Sequence, residues 1–241
     1  MTASLRTAAG RLARLALLAA CLAALPGPAV ADAAAGDPAA AAPVANAALL
    51  AELETYADAV VADLDAYWAA RLADDGIDYR RPEVVFFTEP ARTPCGLELV
   101  PGVTAPGFYC PLDERVYLDG VDHVAVAEVL GRSWLSTVIG HEWGHHVQHL
   151  LGTFPDGPNQ PEAVVARLEL QADCLAGGWT ADADGRGLIE ADAVDVAVFL
   201  LAYLGAPQQQ EVGMNRGHGT SEQRVRAFLR GYDHGTAPCL G

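Results

Sequence analysis

The segment His141-Glu142-Trp143-Gly144-His145 combines two histidines and an acid at a spacing that suits metal-dependent hydrolysis. On an α-helix, His141 and His145 lie four residues apart and project from one face, so both imidazoles can occupy corners of one zinc tetrahedron. Glu142 follows the first histidine and points at the open corner, where it can take a proton from a water molecule. The spacing therefore predicts a zinc site with a general base beside it.

A third protein ligand is needed, and the segment Glu169-Leu170-Gln171-Ala172-Asp173 supplies the best candidate in Glu169. Asp173 lies one turn later on the same face of a second helix. We expect its carboxylate to accept a hydrogen bond from the outer nitrogen of a ligand imidazole, with His141 as the first choice, and so to fix the tautomer. The two segments together predict a site of two histidines and one glutamate.

The alternative to a metal site is a polar helix face that carries solvated histidines. His146 and His149 fit this alternative better, because they lie on other faces of the helix. Neither stands ten residues after His141, where a metzincin has its third histidine ligand and where this chain has Leu151. The class with a glutamate as third ligand is therefore favoured.

The chain resembles the bacterial putative neutral zinc metallopeptidase family in three motif segments. These read HEWGHHVQ at 141–148, RLELQADC at 167–174 and HGTSEQR at 218–224, with further matches in FYCPLD at 108–113 and VYLD at 116–119. The resemblance covers most of the chain after residue 55 and implies a gluzincin-like site with two histidines and one glutamate. The two helix motifs are more distantly similar to those of the integral-membrane CAAX-type and heat-shock metallopeptidases.

The chain departs from the family just before His218, where the family tends to carry Gly-Asp-Asp and this chain reads Gly205-Ala206-Pro207. His218 itself lies in a matching segment and precedes a helix start, so it is a candidate to stabilise the oxyanion formed during hydrolysis. A loop histidine without a role is the alternative. Arg224 is expected to hold an acidic partner in the core rather than to receive a substrate carboxylate. Weaker oxyanion candidates are Tyr109, Tyr117 and Tyr203.

Residues 1–31 are predicted to be a signal peptide rather than part of the fold. Three arginines precede an apolar run at 15–25, which is too short to span a bilayer, and Ala29-Val30-Ala31 is a signal for cleavage after Ala31. A lipoprotein attached at Cys21 is less favoured, because the apolar run continues past this cysteine. We therefore expect a secreted or cell-envelope protein without a stable membrane span after cleavage.

The remainder of the chain is expected to form one domain. Residues 32–45 are rich in Ala and Pro and predict a flexible leader, which leaves 46–241 as a zinc metallopeptidase domain large enough for a real core. The formal charge of −16 becomes −19 when the signal segment, with its three arginines and no acid, is removed. The chain contains no lysine, and nothing basic is clustered to neutralise phosphates, so nucleic-acid binding is not expected.

Four of the five cysteines follow the signal segment, an even number that suits disulfides in an exported chain. Cys95 and Cys110 enclose a short loop and are expected to pair, which leaves Cys174 and Cys239 for each other. The alternatives for Cys174 are a free buried thiol or a metal ligand. As the helix neighbour of Asp173, however, it points off the ligand face.

Hydrophobic periodicity predicts an α+β fold, mostly helical, with a small edge sheet, and the family resemblance implies that this fold is zincin-like. A strand along the cleft of such a site can pair with an extended peptide, and the 108–119 region is the candidate. The predicted helices are 47–72, 124–151 with a bend or break near Gly131 and an end at Gly152, 161–179 with Pro161 in its first position, 190–204 and 221–232. The predicted strands are 83–88 and a region at 108–118 that turns near Asp113.

Together these features predict a secreted, zinc-dependent peptidase. A zinc-activated water, with Glu142 as general base, would hydrolyse the bonds of a peptide or protein substrate. The alternative is a zinc-containing structural or binding module of the cell envelope with weak or no catalysis. The base favours the enzyme, because a purely structural zinc has no use for one beside an open coordination position. The sequence predicts no oligomeric state.

Overall fold

The computed structural model describes residues 46–154, 160–204 and 218–240, which form a mostly helical α+β fold. The predicted signal peptide and leader, the alternative lipid attachment at Cys21 and the Gly205–Pro207 departure all lie outside these residues. The helices are α1 (Ala47–Asp74), α2 (Gly120–Leu130), α3 (Ser133–Leu150), α4 (Glu162–Gly185), α5 (Ala193–Leu204) and α6 (Ser221–His234), followed by a 3-10 turn at Ala237–Cys239. The strands are β1 (Glu83–Phe87), β2 (Ala91–Arg92), β3 (Glu98–Leu99), β4 (Gly107–Cys110) and β5 (Arg115–Asp119).

The main sheet has the order β1-β5-β4, with β1 parallel and β4 antiparallel to the central β5. The predicted 108–118 region is thus two strands joined by a turn. Its first strand, β4, is an edge of the sheet. The β2–β3 ladder, which periodicity did not predict, flanks Cys95: β2 precedes this cysteine, and β3 lies within the loop that it closes with Cys110.

The apolar residues of helix α1 recur every three or four positions, so they lie on one face of the helix and pack against the core. Asn46 caps its first turn by accepting a hydrogen bond from the Leu49 N–H at 3.1 Å. Its buried face is formed by Leu53, Tyr56, Ala57, Val60, Val61, Leu64, Tyr67, Trp68 and Leu72. Each large apolar side chain buried here contributes about 1.5–3 kcal/mol.

The predicted long helix at 124–151 is two helices, separated at Gly131. This glycine has φ 76° and ψ −173°, a conformation that a residue with a Cβ rarely adopts. The first helix begins earlier than predicted, at Gly120, because the carboxylate of Asp119 accepts hydrogen bonds from two N–H groups of the first turn. The second helix, α3, ends at Leu150 rather than at Gly152.

Four further helices have bounds that differ from prediction, and of these α1 and α6 each end about one half-turn later than expected, at Asp74 and His234. Helix α4 runs to Gly185 rather than to residue 179, because its apolar face continues through Ala183, and Pro161 is its N-cap rather than its first residue. Helix α5 begins at Ala193 rather than at Glu190. The carboxylate of Glu190 instead accepts hydrogen bonds from Arg132 and Tyr56.

Helices α4 and α6 pack with their backbones in contact. A methyl group placed on Gly231 would lie 1.8 Å from the carbonyl oxygen of Cys174, and one on Gly177 would lie 2.0 Å from that of Phe228. No side chain larger than hydrogen fits at either position. This approach fixes the position of α6 on α4 and, with it, of the Arg224 side chain.

Both disulfides have the predicted pairing. Cys95 bonds Cys110 and Cys174 bonds Cys239, with Cα–Cα distances of 5.8 and 5.7 Å. The second bond attaches the C-terminal tail to α4, one residue after Asp173. None of the described helices is both long and apolar enough to cross a membrane.

Candidate metal centre

Helices α3 and α4 bring three potential metal ligands together at the floor of a cleft. His141 and His145 project from one face of α3, and Glu169 approaches from α4. Their donor atoms all lie within 4.8 Å of one another. Nε2 of His141 is 3.3 Å from Oε2 of Glu169, and Nε2 of His145 is 3.4 Å from Oε1. The sequence predicted this group of residues, and the fold assembles it.

The dimensions of this group suit zinc. Zinc lies about 2.0–2.1 Å from imidazole nitrogen and carboxylate oxygen, so two ligand atoms of its tetrahedron are about 3.3–3.4 Å apart. The two nitrogen–oxygen distances, each to a different oxygen of the Glu169 carboxylate, are close to that edge length. Oε2 of Glu169 is also buried without a hydrogen bond of acceptable geometry from a described residue, although Nδ1 of His218 lies 2.8 Å away. A buried carboxylate oxygen in this state is suited to a cation.

The charges around these three candidate ligands also favour a bound cation. Three buried carboxylates, those of Glu142, Glu169 and Asp173, face one buried guanidinium, that of Arg224. With neutral histidines this leaves two negative charges, which a divalent ion neutralises. Burial alone would lower the pKa of His141, but the carboxylates of Asp173 and Glu169 raise it to about 10. These carboxylates therefore favour the protonated imidazole, so a cation at Nε2 would compete with a proton.

His141 is held from behind by a buried ion pair. Its Nδ1–H donates to Oδ1 of Asp173 at 2.8 Å, as expected from the position of Asp173 one turn after Glu169. Arg224 of α6 donates to both oxygens of Asp173, each at 2.8 Å. Burial raises the pKa of Asp173, but Arg224 and His141 hold it below its usual range. Arg224 thus holds an acidic partner in the core, as predicted. Because Asp173 stays an acceptor, the neutral form of His141 carries its proton on Nδ1 and has its lone pair on Nε2.

Glu142 faces the cleft from α3, on the side where strand β4 passes. Its side chain is 7% exposed, and a methyl group placed on Gly107 would lie 3.0 Å from its Oε1 and 2.7 Å from Cγ1 of Val138. The strand can approach the carboxylate only because position 107 has no side chain. The proposed base therefore lies beside both the ligand group and the open edge of the sheet.

The cleft above these residues has a volume of about 510 Å³ and a mainly apolar lining. One side is the segment 103–109, which includes the start of β4, and the other includes the end of α5. Phe154 packs edge-on against His145 at the floor, with ring centroids 5.9 Å apart. The residues of α5 that line the cleft are Leu200, Leu201 and Leu204.

His218 lies at the rim of this cleft, 2.8 Å from Glu169, with 43% of its side chain exposed. It therefore contacts a proposed ligand rather than standing apart as a loop histidine. Burial raises the pKa of Glu169, but His145, His141 and His218 together pull it well below its usual range. Thr220 caps the following helix in a reciprocal capping box with Gln223, which fixes the backbone just after His218.

His146 is buried rather than solvated, contrary to the sequence interpretation, and the half-buried His149 also has a hydrogen-bond partner. Nε2–H of His146, which is fully buried, donates to the carbonyl oxygen of Arg80 at 2.6 Å, so its Nδ1 accepts from the hydroxyl of Tyr109 at 2.9 Å. His149 then donates from Nδ1 to the same hydroxyl at 2.7 Å. These bonds fasten β4 to α3 and occupy the Tyr109 hydroxyl, which leaves it unavailable to an oxyanion.

The other two tyrosine candidates also lie away from the ligand group. The hydroxyl of Tyr117 donates to Asp113 at 2.6 Å, and Tyr203 is 70% exposed on α5 without lining the cleft.

The sequence analysis missed two residues that contact the site. Gln148 contacts His145, and its position three residues later on α3 was the available signal. Gly107 gave no signal, because its role depends on an approach between distant segments.

The fold and the group of candidate ligands match the pattern of the H-E-x-x-H class of metalloproteins, with a glutamate as third candidate ligand. The family model for the putative neutral zinc metallopeptidases matches residues 8–239, and the chain belongs to this family. The uncharacterized protein YpfJ of Escherichia coli (strain K12) is 33% identical over 202 residues, which cover 76% of this chain and 69% of the relative. The uncharacterized protein Rv2575 of Mycobacterium tuberculosis (strain ATCC 25618 / H37Rv) is 33% identical over 197 residues, which cover 71% of this chain and 64% of the relative. No solved structure matches.

Proposed function

We propose that this protein is a zinc-dependent peptidase that hydrolyses peptide bonds in an extended substrate. The observation that carries the proposal is the position of Glu142 between the three candidate ligands and the open edge of β4. A structural zinc site has no need of an unligated acid in a cleft. The proposed ligands are His141, His145 and Glu169.

The chemistry is divided between the ion and the chain. When bound, zinc acts as a Lewis acid and lowers the pKa of water. Glu142 accepts the proton of the attacking water at a carboxylate oxygen and then delivers it to the leaving amine. Asp173 keeps the proton of His141 on Nδ1 throughout. His218, at the rim beside Glu169, is the proposed donor to the developing oxyanion.

The register of the sheet supports binding of an extended peptide along β4. The Asp119 N–H donates to the Pro106 carbonyl at 3.0 Å, so the next pair, Gly107 and Leu118, is one without mutual hydrogen bonds. The N–H and C=O groups of Gly107 and Tyr109 then point away from β5, toward the open edge. A substrate strand can pair with them, and its carbonyl would pass close to Glu142.

The proposed location is the cell envelope or the surrounding medium. Two disulfides are compatible with an oxidising compartment, as is the predicted signal segment, which lies outside the described residues. The acidic net charge favours solubility and attracts basic peptides.

The test is Glu142→Gln, assayed on a peptide library in the presence and absence of a chelator. The amide keeps the shape of the side chain but cannot accept a proton. We expect zinc to remain bound while turnover drops by about a hundredfold or more. Glu128→Gln is the matched control, because it makes the same change at an exposed position of α2.

Two results would reject the proposal. An active Glu142→Gln protein would exclude this residue as the base. A wild-type protein that binds zinc but cleaves no member of the library would favour the structural or binding module instead.

A further inference from the structure

The second ligand histidine is supported differently from the first. Nδ1 of His145 lies 2.9 Å from Oε1 of Gln148, which is fully buried. The amide nitrogen of Gln148 donates to the Leu168 carbonyl at 2.7 Å and to Oε1 of Gln171 at 3.0 Å. The amide nitrogen of Gln171 donates in turn to the Cys239 carbonyl at 2.8 Å. A chain of amides therefore connects His145 to the C-terminal tail.

Two backbone carbonyls fix the direction of every bond in this chain. A carbonyl oxygen can only accept, so Leu168 requires the nitrogen of Gln148 on its side and Cys239 requires that of Gln171. The oxygen of Gln148 must then face His145, whose Nδ1 must carry the proton. If the Gln148 amide were flipped, its oxygen would face two other oxygens and its N–H would force the proton of His145 onto Nε2. That tautomer has no lone pair for a metal.

We propose that Gln148 and Gln171 are positioning residues of the metal centre, which keep Nε2 of His145 bare and aimed at the ion. The chain ends on Cys239, whose disulfide to Cys174 holds the tail in place. The C-terminal tail is thus part of the metal centre, although it contributes no ligand. This inference rests on the proposed zinc site and extends it to residues beyond the ligands.

The difference between the two supports has a chemical meaning. The carboxylate of Asp173 adds negative charge behind His141 and raises its basicity as a ligand. The amide of Gln148 fixes the ring of His145 without adding charge. Because the site already has more carboxylates than cations, an amide at the second position limits the repulsion among buried acids.

The test compares zinc affinity, by competition with a chelator, in three full-length variants. Gln148→Met keeps the length of the side chain and removes the entire link. Gln171→Met removes the next link at a half-buried position, where misfolding is less of a risk. Thr180→Val is the matched control, because it removes one buried hydrogen bond of α4, from the Thr180 hydroxyl to the Ala176 carbonyl at 2.8 Å. NMR of the zinc-loaded proteins reports the exchange of the His145 Nδ1 proton with solvent.

We expect Gln148→Met to lower zinc affinity about tenfold to a hundredfold, the usual range for such supports. The His145 proton should exchange faster while that of His141 is unchanged, which a general loss of stability would not produce. Gln171→Met should shift both readouts in the same direction by less, and Thr180→Val should shift neither. If Gln148→Met does not fold, Gln171→Met decides alone.

Wild-type affinity and proton protection in the folded glutamine variants would overturn the inference and leave the zinc peptidase proposal intact. A wild-type protein that takes up no zinc would instead overturn both.

Discussion

The two sides of the cleft are built on different principles. The helical side, from α3, α4 and α6, consists of buried polar side chains, each held by another: His141 by Asp173, and Asp173 by Arg224. The strand side, β4, offers backbone groups and, at Gly107, no side chain at all. Metal and proton chemistry need donors fixed in place by further bonds, whereas peptide recognition needs an accessible backbone. Substitutions on the two sides should therefore fail in different ways.

The largest expected effect is on the helical side. Glu169→Ala removes the proposed third ligand, a carboxylate that contacts both candidate histidines. We expect the purified protein to lose its zinc and with it all peptide turnover, as measured by metal analysis and the library digest. Glu162→Ala, an exposed acid in the first turn of the same helix, is the control. Full zinc stoichiometry in a metal-replete Glu169→Ala protein would mean that the third ligand is another residue.

Asp173 should have the next largest effect. Asp173→Ala frees the outer nitrogen of His141, and we expect zinc affinity to fall about tenfold to a hundredfold. Asp173→Asn can still accept a hydrogen bond but lacks the charge, so its loss should be milder. Wild-type affinity and turnover in both variants would show that the contact has no functional role.

The alanine variant also leaves the Arg224 guanidinium buried without its partner, which costs about 3–5 kcal/mol of stability. The double variant Asp173→Ala/Arg224→Met separates the two effects. It should recover stability in urea denaturation but not zinc affinity.

A smaller effect of a different kind is expected on the strand side. Gly107→Ala places a methyl group 2.7 Å from Val138 and 3.0 Å from Glu142, so the strand or the base must move. Because a small misplacement of a reacting group lowers the rate steeply, we expect kcat to fall roughly tenfold while zinc stays bound. Gly185→Ala adds the same methyl group in open space and is the control. Loss of zinc in Gly107→Ala would show that the two sides are not independent.

The last effect is on stability rather than on activity and concerns His123, which connects the two sides. Its Nε2–H donates to the Pro106 carbonyl at 3.1 Å, just before β4, and its ring centroid lies 4.4 Å from that of Trp134 on α3. Burial lowers its pKa from 6.5 to about 3, so the unfolded chain binds a proton that the folded protein does not. Its contribution to stability is therefore complete above pH 6.5 and is lost as the pH falls toward 3, by about 1.4 kcal/mol per pH unit.

Urea denaturation of the metal-free proteins between pH 6 and pH 4 tests this expectation. His123→Gln keeps a donor for Pro106 without the titration, so its stability should fall less steeply with pH than that of the wild type. His234→Gln, at an exposed position of α6, should follow the wild-type slope. Equal slopes in all three proteins would contradict the assignment.

Helical periodicity explains why the ligands were predictable. A spacing of four residues places His141 with His145, and Glu169 with Asp173, on one face in any helix, so the two pairs could be assigned without knowledge of the packing. The predicted start of α6 at residue 221 likewise agrees with the structure, where Thr220 is the N-cap. The fold class followed from the same periodicity.

The features that sequence reasoning missed depend on contacts between distant segments. Burial of His146 requires the Arg80 carbonyl and Tyr109 from two other parts of the chain. The role of Gln148 requires the Cys239 tail to reach α4. Helix α4 runs past its predicted end because its last turns are buried against other elements. In each case the decisive partner is remote in sequence, and no local pattern encodes it.

The contact between α4 and α6 has a consequence for how the protein tolerates change. Gly177 and Gly231 have no group that can act on a metal or a peptide, yet they set the spacing that lets Arg224 reach Asp173. A methyl group on either glycine would push α6 away from α4 by more than the hydrogen bonds from Arg224 to Asp173 can tolerate. Substitution of either glycine is therefore expected to disrupt the site in the cleft as severely as substitution of a candidate ligand, although neither glycine has a side chain.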